Sequence, residues 1–170
     1  QGGPPGFGLR RMLIDETGQR KGILSRGEHK SIQTDRVTLV PGPDEEIAVV
    51  NQIFRQFVED GHSEARIAAD LNARTIKTDL GRDWSPAVIR QLLRNEKYIG
   101  NNIWNRSSFK LKKRHVRNDP ANWVRATGAF EAIVNLDLFA AASTIFAARA
   151  KRFTDEEMLD GLRDALQANG

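Results

Sequence analysis

Ser85-Pro86-Ala87-Val88-Ile89-Arg90-Gln91-Leu92-Leu93-Arg94-Asn95 is the stretch on which the reading of this chain turns. A serine before a proline is a strong helix start. The hydroxyl accepts from an orphan N–H of the first turn, and proline at the first position lacks an N–H that the helix could not use. Val88, Ile89, Leu92 and Leu93 then recur at helical spacing and form a stripe to be buried. Ala87, Arg90, Gln91 and Arg94 form the opposite stripe, with two guanidiniums, one amide and no acid. Arginine can fork onto guanine and glutamine onto adenine in a major groove, so this helix carries the chemistry of a base reader. The competing reading is an ordinary solvated polar stripe, since surface helices routinely carry Arg and Gln.

Upstream of that helix lie two more. Asp44-Glu45-Glu46 follows Pro41-Gly42-Pro43 and supplies negative charge for a helix N-terminus, and Ile47, Val50, Ile53, Phe54, Phe57 and Val58 mark one buried face as far as the stop at Gly61. Ser63 is placed to cap a second, short helix with Ile67, Ala68 and Leu71 facing inward. The link from Thr75 to Trp84, about ten residues, is longer than the 3 to 4 of a standard helix-turn-helix. Trp84 is expected to be a core plug under the Ser85 cap rather than a stacking platform.

Downstream, Tyr98 to Trp104 reads as a strand, with a partner at Trp123 to Ala126. Tyr98 and Trp104 lie in apolar surroundings and are expected to be structural. Between the two strands the charge is one-sided. From Lys97 to Asn118 there is no Asp or Glu, while Lys97, Arg106, Lys110, Lys112, Lys113, Arg114 and Arg117 all fall there. Such a segment attracts polyanions, which makes it a basic hairpin or wing suited to phosphates; the plain alternative is a solvated loop. His115 reads as one more phosphate neighbour. A fourth helix, from about Leu136 to Ala150, turns Phe139, Ala142, Ile145 and Phe146 inward, with Asp137 early and Arg149 and Lys151 late to suit the macrodipole. Thr154 and Glu157 have capping-box spacing, and Leu159, Leu162 and Leu166 give a narrow seam for a fifth helix. Ahead of all the helices, Leu9 to Ile14 and Val37 to Val40, with a turn at Glu16-Thr17-Gly18-Gln19, suggest a small irregular β region.

The expected fold class is therefore α+β and helix-rich, with a helix-turn-helix-like core, a small β region over 1–42 and a basic hairpin; 1–150 is read as one domain and 151–170 as a coupling or oligomerisation element. At 170 residues, 39% hydrophobic and 28% charged, the chain is an ordinary folded protein with a formal charge of +4. It has no cysteine, which rules out disulfides, a thiol nucleophile and cysteine-ligated zinc, and which fits a reducing cytoplasm. His29, His62 and His115 are far apart, so no metal or other cofactor is expected. No apolar run approaches the ~20 residues of a membrane span. The start at Gln1-Gly2-Gly3-Pro4-Pro5 resembles neither a signal peptide nor a native initiator, so the chain reads as cut from a longer one. Ser107-Ser108 is an adjacent serine pair, but no motif places a base beside it, and no catalytic residue is expected.

Taken together, Ile53-Phe54, Gly61, Ser63, Ile67-Ala68, Leu71-Asn72, Thr78, Gly81, Trp84-Ser85, Ile89, Leu92-Leu93, Arg94-Asn95 and Tyr98-Ile99-Gly100 closely resemble the recombinase domain of large serine recombinases. Pro4-Pro5-Gly6-Phe7-Gly8 is similar to the opening of that domain, and Ala132-Ile133-Val134 with Leu138-Phe139 to its close. Two positions depart from the pattern: Thr75 stands where the family usually has Gly, and Glu96 where it usually has Pro. The zinc ribbon that commonly follows needs cysteines, so it lies downstream or this subfamily lacks it. The resemblance implies a separate serine-nucleophile catalytic domain, with this domain binding attachment-site duplex. The expected partners are double-stranded DNA and other recombinase subunits, with no membrane. Two rivals stand beside that expectation. One is a subunit-assembly module, which sedimentation with and without 154–170 distinguishes from a monomeric DNA reader. The other is a stand-alone transcription regulator, excluded if a resolvase-type catalytic domain precedes Gln1.

Overall fold

Val50, Ile53, Phe54 and Phe57 are closed off from solvent in the computed structural model, which describes residues 4–25, 27–28, 34–108 and 116–151. They lie on one face of α1 (Asp44–Val58), as the apolar spacing predicts, with Ile47 and Val58 half-buried near its ends. The helix ends as expected. Gly61 takes φ +65, and His62 N donates to Gln56 O at 2.9 Å. The acids at its start do more than face the helix dipole. Both oxygens of Glu46 are gripped by Arg10, from Nη1 at 2.9 Å and Nη2 at 2.6 Å, and Gly8 N donates to Oε2 at 2.9 Å. This two-pronged pair ties α1 to the first strand of the chain.

That strand, β1 (Leu9–Ile14), is the centre of a three-stranded antiparallel sheet between β2 (Arg20–Leu24) and β3 (Arg36–Pro41). Phe7, Leu9 and Leu39 join the helical core from this side. The fold is α+β, as expected from the sequence.

Ser63 caps α2 (Glu64–Ala73), its hydroxyl accepting from Arg66 N at 3.3 Å, and Ser85 caps α3 (Pro86–Leu93) by accepting from Val88 N at 3.3 Å. The long link between them is itself folded. The Asn72 amide donates to Trp84 O at 2.9 Å and accepts from Trp84 N at 2.8 Å, so the two ends of the loop are pinned together and α2 and α3 pack on each other. Trp84 is buried under the cap, edge-on to Phe7 with ring centroids 5.1 Å apart. Ile89, Leu92 and Leu93 are buried on α3, but Val88 is exposed, against expectation. It lies roughly 100° around the helix from Ile89, on the rim of a stripe that the other three already fill.

After α3 the chain forms a 3-10 turn over Glu96–Ile99 rather than a strand from Tyr98. Gly100 is the cause of the break. Its φ is +81, and a Cβ there would drive into the carbonyl oxygen of Phe130. β4 (Asn102–Trp104) starts beyond it. The hairpin is otherwise as expected: β5 (Ser107–Ser108) pairs antiparallel with β6 (Val116–Arg117), and β4 with β7 (Val124–Ala126). Tyr98 is structural, its hydroxyl donating to Phe7 O at 3.0 Å. Trp104 is not. It stands 62% exposed at the end of the short β4–β7 ribbon.

The helix over 136–151, α4, lies across α1. Phe139 sits 5.9 Å from Phe54 and Phe146 stacks 4.9 Å from Phe57, measured between ring centroids. The fifth helix expected from Thr154 lies outside the described residues.

Candidate nucleic-acid interface

α3 presents Ala87, Arg90, Gln91 and Arg94 to solvent, and it carries no acid from Pro86 to Leu93. Three of these bear the expected chemistry, but two of the three are already engaged. Arg90 donates from Nε to Glu64 Oε1 at 3.0 Å, while its side chain remains 60% exposed. The Arg94 guanidinium lies 5.6 Å from the centre of the Phe146 ring on α4. The Gln91 side chain forms no hydrogen bond to the described residues.

The cations of the acid-free stretch are placed less uniformly. Lys97 turns back, donating from Nζ to Pro4 O at 2.9 Å, and it is half-buried. Burial pushes its pKa down, and the nearby Arg106 charge adds to the effect. Arg106 sits 4.9 Å over the Trp123 ring, while Arg117 is exposed on β6. Lys110, Lys112, Lys113, Arg114 and His115 lie outside the described residues. Ser107 pairs with Arg117 and Ser108 with Val116, which brings the described ends of the stretch side by side.

Three residues were not singled out as site candidates by sequence reasoning. Glu64 occupies the first position of α2, where an acid is unremarkable on dipole grounds, yet it is buried. Arg149, expected to be a late-helix cation, reaches back to Glu64 Oε2 at 3.0 Å and covers the Phe57 ring at 4.8 Å. Arg125 meets Glu96 at 2.7 Å, and Glu96 also accepts from the Asn101 amide at 2.9 Å. Glu96 thus supplies a carboxylate that ties β7 and the residue before β4 to the turn after α3. Only charge type was visible in the sequence for these three; none of their partners is a helical neighbour.

Between α3 and α4 runs an open groove of about 830 Å³, bordered by Arg90, Arg94, Phe146 and Arg149 with Glu64 in its wall. Burial works against the Glu64 charge. The backbone N–H of its own residue and the Arg90 and Arg149 guanidiniums outweigh it and hold the carboxyl below its usual range. Among the described residues, no cluster of His, Asp or Glu is built to hold a metal ion, and no helix is long and apolar enough to cross a membrane.

The Recombinase family matches residues 44–149, from the first turn of α1 to the end of α4. No curated protein and no solved structure matches the chain. With more than half its length in that match, the chain belongs to the Recombinase family, the non-catalytic domain that lies downstream of the catalytic domain in serine recombinases.

Proposed function

We propose that this domain binds the double-stranded DNA of a recombination site and positions a separate catalytic domain upon it. The observation that carries this reading is the exposed, acid-free face of α3, with Arg90, Gln91 and Arg94 side by side. An α-helix fits the major groove, and these side chains have the reach and donor pattern for base edges. Phosphate contacts fall to Arg106, Arg117 and the cations between them, with Lys97 the least available because its ammonium is turned onto Pro4 O. The sheet of β1, β2 and β3 works with the helices as one unit, a reading supported by the clamp of Arg10 and Gly8 on Glu46. A reducing, DNA-containing compartment such as the cytoplasm suits a chain without cysteine. Partners in the full protein would be duplex DNA and further recombinase subunits.

Binding of the chain to a duplex library at several salt concentrations tests this. About five phosphate contacts should give a slope of log K against log salt near −4 to −5, by counterion release. Neutralising Lys112 and Lys113 together should weaken all sequences alike, whereas Arg90→Ala should relax preference at one base pair. Undiminished binding after both lysines are replaced would remove the wing from the interface. A salt-independent interaction would remove DNA altogether.

A further inference from the structure

Arg90 is restrained before any duplex arrives. Its Nε donates to Glu64 Oε1 at 3.0 Å, and its Nη1 and Nη2 make no hydrogen bond to the described residues. The acceptor is unusual in its own right. Glu64 is 5% exposed and, with Asp35, one of two buried charged residues among those described. Its other oxygen is taken by Arg149 of α4, at 3.0 Å. A buried carboxylate standing on the first turn of a capped helix is a fixed point. A long arginine side chain tethered through Nε loses most of its rotamer freedom, yet it keeps the two terminal nitrogens that make a fork.

We propose that Glu64 is a positioning residue that holds the Arg90 guanidinium for two-pronged readout of a guanine in the major groove. This rests on the DNA-binding reading above. The two free Nη groups match the O6 and N7 acceptors of guanine, and restraint in the free protein removes an ordering cost from the specific complex. The same carboxylate opposes a misplaced contact, because a phosphate brought to Arg90 approaches the negative charge of Glu64 as well. Glu64 therefore acts on discrimination between sequences more than on overall affinity. Arg149 has a different part. Its guanidinium covers the Phe57 ring and reaches the far oxygen, so it fastens α4 and leaves Arg90 alone.

The test uses the full 170-residue chain and measures relative binding to duplexes that differ at each base pair. Glu64→Gln should cut discrimination by about tenfold at the position that Arg90→Ala also relaxes, and should leave binding to random duplex equal or stronger. In the Arg90→Ala background, Glu64→Gln should change preference no further, since the two act as one unit. Arg149→Gln should lower stability while keeping the wild-type preference. If Glu64→Gln fails to fold, two measurements remain. Glu64→Asp, which withdraws the carboxylate by one methylene, should lose discrimination in the same place, and in the unaltered free chain the Arg90 Nε–H should resist solvent exchange. Folded Glu64 variants with wild-type preference overturn this proposal alone, as does a rapidly exchanging Nε–H or an equal loss of preference in Arg149→Gln. Failure of the wild-type chain to bind any duplex overturns the DNA-binding reading and this one with it.

Discussion

The helical core and the hairpin that follows it treat similar side chains in opposite ways. Around α1, aromatic rings are enclosed and cations are tethered: Phe54 and Tyr98 pack edge to face, Arg10 grips Glu46, and Arg90 and Arg149 share Glu64. On the hairpin, Trp104, Val116 and Val124 face solvent, and Arg117 stands exposed on β6. The core is complete within the chain, so its cations are aimed. On the described part of the hairpin, apolar side chains stand in solvent beside the exposed Arg117.

The largest expected contrast is between the aromatic residues of the two regions. Phe54→Ala should cost about 3–5 kcal/mol in chemical denaturation, because the site is enclosed on all sides. Trp104→Ala should stay within about 0.5 kcal/mol, as for a surface substitution away from structural features. Similar losses at both sites would erase the distinction between the regions.

Acid should find the core first. Arg10 above all, and then the Gly8 N–H, hold the Glu46 carboxyl below its ordinary 4.5 against the desolvation that would raise it, and Glu64 is likewise depressed. A carboxylate with a lowered folded-state pKa contributes stability that is present above pH 4.5 and is lost as pH falls through the folded value. Thermal unfolding from pH 6 to 3 should therefore show Tm falling below about 4.5, by about 2–4 °C for each kcal/mol lost. The double variant Glu46→Gln with Glu64→Gln should have a lower Tm at pH 6 and a flatter pH profile. An unchanged profile in that variant would assign the acid sensitivity to other groups.

Smaller effects sharpen the boundary between core and candidate interface. Ser85→Ala removes the α3 cap and should cost about 1 kcal/mol in denaturant unfolding, with a parallel loss of duplex affinity because the same helix carries Arg90 and Gln91. Thr75 takes φ +56, a conformation that a β-branched residue adopts only under strain. Thr75→Gly should stabilise the chain by up to about 1 kcal/mol, the relief of left-handed strain exceeding the entropy cost of glycine. A loss of stability there would mean that the Thr75 hydroxyl, which donates to Arg74 O at 2.7 Å, contributes more than the strain costs.

Much of the architecture could be read from short-range pattern. The stripe of α1, the serine caps of α2 and α3, the stop at Gly61 and the pairing of Asn102–Trp104 with Val124–Ala126 all depend on residues within a turn of one another or on simple alternation. The break at Gly100 was not read, although the glycine was in plain view: its φ of +81 is the left-handed cap that ends the 3-10 turn, and only the crowding of a Cβ there by Phe130 O comes from thirty positions further on. The face of α3 was legible as chemistry, since residue type and helical period fix which side chains share a side. What those side chains do there was not. Arg90 meets a carboxylate 26 residues earlier, and that carboxylate meets Arg149 85 residues later. Trp104 and Tyr98 read alike in sequence and part company only because one lies against the helices and the other at the open end of a two-stranded ribbon. Sequence alone determined the elements and the sign of their charge, for these follow from local sterics and period. Only the packing of α2, α3 and α4 decided that Glu64 is buried and which arginines it holds, because burial and long-range pairing depend on the whole set of neighbours at once.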